Sequence, residues 1–156
     1  DKYTWVDIGS SYLPSDMLAA FLYAQLEARD RIQAKRKLIW EYYYHNLQGW
    51  AKVKGITLPF IPAHCEQTYH MFYIILPSLE QRQALIAHLK AAGIMAVFHY
   101  LPLHLSDMGL RFGGKPGQCT ITEDISDRLL RLPFYNSLIE KDQARVVDTI
   151  INFKFV

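Results

Sequence analysis

The sequence predicts an α+β fold, a long connecting helix followed by a small sheet-and-helix domain. Two segments rich in aromatic and β-branched residues, "YHMFYIIL" (Tyr69–Leu76) and "IMAVFHY" (Ile94–Tyr100), read as strands and enclose a well-capped helical stretch. A helical pattern of unusual length precedes them, and two shorter ones follow. With 156 residues, 51% of them hydrophobic, the chain has enough apolar side chains for one core that needs neither disulfides nor a structural metal.

The first helix starts after Pro14, where Ser15 can accept a backbone N–H as N-cap and Asp16 complements the helix dipole. From Met17 to Ala24, "MLAAFLYA" is apolar on every side, the pattern of a helix wedged between two bodies of protein. Beyond Leu26 the pattern narrows to one stripe, Ile32, Ile39, Tyr43 and Leu47, with charged and polar residues elsewhere. Such a helix connects two packing units. Gly49 and Gly55 are expected to end it, and the two prolines of "GITLPFIP" keep the next segment extended. After the strand at Tyr69–Leu76, Ser78 and Gln81 form a capping box for a helix that buries Leu85, Ile86 and Leu89 and stops at Gly93. The second strand follows at Ile94–Tyr100, its pairing direction left open by periodicity. Residues 102–117, rich in glycine, read as a loop. Helix returns near Thr122, where "EDISDRLLRL" sets Ile125, Leu129 and Leu132 on one face. After an extended "LPFY", Ser137 and Glu140 form a second capping box for a final helix carrying Val146, Val147, Ile150 and Ile151.

Composition excludes several classes. Cys65 and Cys119 stand far apart with no paired spacing, as buried thiols of a reducing compartment do, so a cytoplasmic location is expected. No stretch reaches the roughly 18 apolar residues of a membrane span, so no membrane partner is expected. The net charge of +2 is weak support for a polyanionic partner, and Arg29, Arg31, Lys35, Arg36 and Lys37 read as a solvated helix face rather than a nucleic-acid footprint.

Histidines supply the chemistry that spacing can find. His99 and His104 flank the turn "HYLPLH", where a strand end runs into a proline-stiffened rim that can present a general base or a polar binding group. A metal would need further donors, and only Asp107 is near in sequence; none is assigned. His99 can equally be a half-buried side chain resting beside Tyr100. His70, on the face of Phe72 and Ile74, reads as a structural histidine at the edge of the core. There is no phosphate-binding glycine loop, nucleophile elbow or cysteine–histidine pair with an orienting partner.

Four blocks, "DIGSSYLPSDMLAAFLYAQLEARDRI", "HMFYIIL", "GIMAVFHYLPLH" and "SDRLLRLPFYNSL", together resemble in order and spacing the C-terminal part of the DegT/DnrJ/EryC/StrS family of pyridoxal-phosphate-dependent nucleotide-sugar aminotransferases. Ser-Ser-Tyr-Leu after Asp-Ile-Gly and "IMAVFHY" are most similar to the TDP-4-oxo-6-deoxyglucose transaminases that form TDP-4-amino-4,6-dideoxygalactose for enterobacterial common antigen and related glycans. The resemblance implies the small C-terminal domain of the fold type I aminotransferase architecture, with residues 1–30 linking to an absent large domain and 31–156 forming the small domain. It implies a homo-oligomer acting on a sugar nucleotide and glutamate with pyridoxal phosphate as cofactor. No lysine here matches the family's Schiff-base lysine, so the chain alone is expected to be inactive and to contribute no catalytic residue.

The family pattern Gly-x-Asn-Tyr-Arg falls on Gly9, Ser11, Tyr12 and Leu13. Ser11 can donate one hydrogen bond to the cofactor phosphate without the reach of Asn, and Leu13 cannot replace the Arg charge. The family's His-Tyr-x-Pro-x-His block falls on His99, Tyr100 and His104, which together with Tyr12 are expected to contact the sugar nucleotide. The loop Ser106–Gln118 is expected to be mobile and near the nucleotide entrance. A free-standing module binding protein or nucleic acid is the alternative, weakened by balanced charge and by aromatics held in apolar runs.

Overall fold

The computed structural model describes residues 12–155, and the predicted α+β class is what it contains. The predicted long helix is two. Helix α1 (Asp16–Glu27) is capped by the Ser15 side chain, which accepts from the Leu18 N–H at 3.3 Å, and breaks at Ala28. Helix α2 (Arg29–Lys54) follows at once and runs through Gly49, ending only at Gly55, whose φ of +67° closes the left-handed cap. Gly49 therefore costs helix propensity without stopping the helix, because the Tyr43–Leu47–Ala51 stripe on either side of it is anchored in the core.

The apolar start of this region is not buried. Every residue of α1 is exposed, Met17 at 85% and Phe21 at 68%, so the helix that periodicity wedged between two bodies lies uncovered, with its main contact to α2. Helix α2 does lie on the core, through Ile39, Trp40, Tyr43, Leu47 and Ala51. The basic run at its start is mostly solvated, as expected; Lys35 and Arg36 are half-buried, and Arg36 is held in place. Its Nε donates to the Tyr69 carbonyl at 2.8 Å and its Nη2 to that of His70 at 2.7 Å. This clamp pins the chain where Tyr69 adopts φ +48°, a conformation costly for an aromatic residue.

The sheet has three strands in the order β1-β3-β2: β1 (Tyr73–Ile75), β2 (Val97–Phe98) and β3 (Leu129–Arg131). The first two are shorter than predicted. The turn at Tyr69 delays β1, which leaves His70 exposed, its Nδ1 3.0 Å from the Thr68 hydroxyl, rather than at the core's edge. The third strand replaces the end of a predicted helix. Helix α5 (Thr120–Arg128) stops before Leu129, and Leu130 becomes a fully buried central-strand residue paired with both Ile74 and Phe98. Tertiary pairing wins because β1 and β2 have no other partner between them. Both are antiparallel to β3 and hence parallel to each other, a split β-α-β unit connected by α3 (Leu79–Ala91). The extended segment after α2 adds one bridge to β1, at Thr57 and Ile75.

Helix α3 starts as predicted, with Ser78 accepting from the Gln81 N–H at 3.3 Å; the buried Gln81 Oε1 has no partner, so only half of the capping box forms. The second predicted box fails altogether. Helix α6 (Glu140–Ile151) begins after Ile139 without a side-chain cap, since Leu138 must turn into the core and leaves Ser137 outside the first turn. Glu140 and Asp142 in that turn face the helix dipole instead. Helices α2, α3, α5 and α6 cover one side of the molecule. Trp40 and Tyr43 pack on Phe72 with ring centroids 5.4 and 5.2 Å apart, and Val146, Val147 and Ile150 of α6 complete the core. Both cysteines are free and exposed, not buried, having no core position to fill.

Candidate functional site

The site develops where β2 leaves the sheet. Val97, the row partner of Arg131 and Tyr73, stands on the face opposite Ile74 and Leu130, and strand alternation carries that face on to His99. His99 is half-buried with its ring edge-on to Tyr100, centroids 5.0 Å apart, while Tyr100 itself is 78% exposed. The His99 Nδ1 is buried without a hydrogen-bond partner. Burial, and then the nearby charges of Arg131 and His70, hold the imidazole below its ordinary range, so it is neutral at pH 7. A neutral ring of this kind can accept or donate one hydrogen bond according to its tautomer.

Pro102 is buried and turns the chain into a 3-10 turn at Leu103–Leu105, which sets His104 beneath the loop. There its Nε2 lies 2.9 Å from Glu123 Oε1 of α5. Glu123 also accepts the backbone N–H groups of Gly117 at 3.0 Å and Cys119 at 3.2 Å. These contacts, with the Gly117 amide contributing most and the His104 ring next, hold the carboxyl below the usual carboxylate range. The segment predicted to be a mobile loop is thus an organised knot containing helix α4 (Asp107–Arg111), capped by Ser106, whose hydroxyl accepts from the Gly109 N–H at 3.1 Å. A side chain at Gly109 would meet the Leu103 carbonyl at 2.3 Å and one at Gly114 the His104 carbonyl at 2.1 Å, so glycine is required at both places for the chain to fold back on itself. An open hollow of 670 Å³ lies against this knot, lined by Leu103, His104, Met108, Phe112 and Gln118 among others.

The structure therefore brings His99 and Tyr100 into ring contact and ties His104 to Glu123. Tyr12 lies in irregular chain ahead of α1, 90% exposed, and Ser11 lies outside the described residues. Sequence reasoning missed Glu123 and Arg131. Nothing in spacing marks Glu123, whose partners lie across a folded loop; Arg131 was hidden by the reading of β3 as helix. A second polar hollow, 560 Å³ between α3 and α6, contains His88, but that ring is already bonded to the Thr149 carbonyl at 3.1 Å and converges with no other reactive group. Among the described residues no three His, Cys, Asp or Glu side chains are gathered as metal ligands, and no helix is long and apolar enough to cross a membrane.

The fold is similar to that of solved aminotransferases. DesV of S. venezuelae superposes with a TM-score of 0.86 at 28% identity, over 97% of this chain and 39% of its own. In sequence, the erythromycin biosynthesis sensory transduction protein EryC1 of Saccharopolyspora erythraea is 29% identical over 96% of this chain, and the GDP-perosamine synthase of Escherichia coli O157:H7 is 27% identical over 96%. The model of the DegT/DnrJ/EryC1/StrS aminotransferase family matches residues 1–151, and the chain belongs to that family. It spans about 39% of the length of the relatives named here.

A putative sugar aminotransferase of Streptococcus pneumoniae, Spr1654, has been solved in a pyridoxal-phosphate form. The described residues do not fit that cofactor by themselves. Its carbonyl needs a lysine in a water-poor pocket, and every described lysine except Lys35 is exposed, Lys35 standing half-buried on α2 amid the basic run.

Proposed function

We propose that this chain is the small domain of a pyridoxal-phosphate-dependent sugar-nucleotide aminotransferase. The longer polypeptide moves an amino group from glutamate to a TDP-4-keto-6-deoxyhexose, making the TDP-4-amino-4,6-dideoxygalactose type of precursor for surface polysaccharides such as lipopolysaccharide or enterobacterial common antigen. The observation that carries this reading is the family match over residues 1–151, supported by the likeness to DesV. Residues 1–30 lead to a large cofactor domain, and residues 31–156 form the small domain. The uncovered apolar helix α1 supports that division, since apolar side chains on all sides of a helix call for protein on all sides.

In this reading Tyr12, His99, Tyr100 and His104 lie at the sugar nucleotide and Ser11 at the cofactor phosphate. His99, neutral and half-buried, orients a hydroxyl or carbonyl by one hydrogen bond, and the exposed Tyr100 ring offers a stacking surface beside it. His104 acts through Glu123, holding residues 106–118 against the site. Pyridoxal phosphate, when bound in the longer polypeptide, supplies the electron sink for amino transfer. The whole works as a homo-oligomer in the cytoplasm.

The test is mass spectrometry of the longer polypeptide incubated with glutamate and a TDP-4-keto-6-deoxyhexose. An amino-sugar nucleotide should form only with both amino donor and cofactor present; no transfer to any nucleotide-linked keto sugar sinks the reading. The 156-residue chain alone should show no turnover. A borohydride-stable pyridoxyl adduct on one specific lysine, together with turnover, overturns that part.

A further inference from the structure

The open face of the sheet holds a positive charge that the protein does not match. Arg131 stands at the centre of that face, in the cross-strand row Tyr73–Arg131–Val97, away from the core row of Ile74 and Leu130. It is half-buried, its Nε is buried with no hydrogen-bond partner, and among the described residues it enters no ion pair. A guanidinium stays charged at every accessible pH, and an N–H of it buried without an acceptor is destabilising. His99, on the same face, has a second orphaned atom in its buried Nδ1. The Arg131 charge lies close enough to act on His99. A buried guanidinium N–H without an acceptor, beside a buried ring nitrogen that donates in one of its tautomers, is a pair that one oxyanion satisfies.

We propose that Arg131 and His99 form an oxyanion subsite on the open face of the sheet, taking a carboxylate or phosphate oxygen group of a reactant. Arg131 donates from its guanidinium and His99 from Nδ1 in the tautomer that carries its proton there. The inference rests on the aminotransferase reading for the choice of anion, the carboxylate of the amino donor or the phosphates of the nucleotide. The pairing of donors does not depend on that choice. Arg131 is thereby a binding residue for the reactant, and its place on the central strand, hydrogen-bonded on both sides, fixes it more firmly than a loop would.

Ring-proton NMR of His99 and the Nε–H resonance of Arg131 in the 156-residue chain test this, with glutarate, inorganic phosphate and thymidine diphosphate as probes and chloride as the ionic control. At least one probe should move both resonances saturably. Saturation by glutarate alone assigns the amino-donor carboxylate; saturation by thymidine diphosphate assigns the nucleotide, and phosphate alone the bare anion. Arg131→Gln should weaken the binding about ten- to a hundredfold, the loss expected for a charge-assisted contact. Arg131→Lys should keep part of it. If Arg131→Gln does not fold, His99→Gln provides the second arm, weakening the movement of the Arg131 resonance. No saturable movement with any probe, or unchanged affinity in the variants, overturns the subsite. Amino transfer by the longer polypeptide without such binding would overturn the subsite alone. Binding without amino transfer would leave the subsite standing and remove the aminotransferase reading.

Discussion

Glu123 gathers more polar contacts than any other carboxylate of the described residues, joining the His104 ring to the amides of Gly117 and Cys119. Replacing it by alanine is expected to speed amide exchange at those two positions while leaving exchange in α2 unchanged; glutamine should give an intermediate effect because it still accepts. Equal protection in the alanine variant would show that the glycine packing alone holds the loop. Because the Glu123 carboxyl titrates below its ordinary value, its contribution is present above that ordinary value and is lost as pH falls through the folded value. His99 has the same direction of shift with a different origin, burial first. Its unfolded form takes up a proton near pH 6.5, where the folded form does not, so its share of stability holds above that pH and drains away as pH falls toward the folded value. An NMR titration should place the His99 midpoint below 6.5; a midpoint at or above it would mean that the ring is solvated.

At the scale of elements, β3 carries the sheet. Leu130 is fully buried between Ile74 and Phe98, so Leu130→Ala removes a central core side chain and should cost about 3 kcal/mol in urea unfolding. The same change at Leu129, half-buried on the open face, should cost markedly less. If the two were equal, the described sidedness of the sheet would be wrong. This strand is also where sequence reading went astray. Ile125, Leu129 and Leu132 fit helical spacing as well as Leu130 and Leu132 fit a strand, and a short apolar run does not choose between the two periods. Capping chemistry was more legible, because Ser15 and Ser78 act on amides three residues away and need no tertiary partner. Ser137 failed for the converse reason: Leu138 answers to the core before the helix forms.

For the whole molecule, the unusual feature is α1. Met17, Leu18, Phe21, Leu22 and Leu26 remain exposed together, a patch that water disfavours. The 156-residue chain is expected to self-associate through it, and the double variant Phe21→Glu, Leu22→Glu should sediment as a smaller species with unchanged core stability. A wild-type chain that stays monomeric at high concentration, with α1 protected from hydrogen exchange, contradicts this. Periodicity identified the helix and its all-round apolarity correctly. It could not supply the surface that covers it, because an apolar pattern records a preference for burial and not the neighbour that satisfies it.

The sequence by itself determined the α+β class, the helix starts at Ser15 and Ser78, the amphipathic stripe of α2 and the histidines at the rim, all of which follow from interactions between residues close in the chain. Only the tertiary structure decided that β3 lies between β1 and β2, that Arg36 clamps the turn at Tyr69, that Glu123 ties the loop to His104, and that Arg131 shares a face with His99. Each of these depends on groups distant in sequence being brought together, where burial changes the value of a charge or a hydrogen bond, and no local pattern encodes that environment.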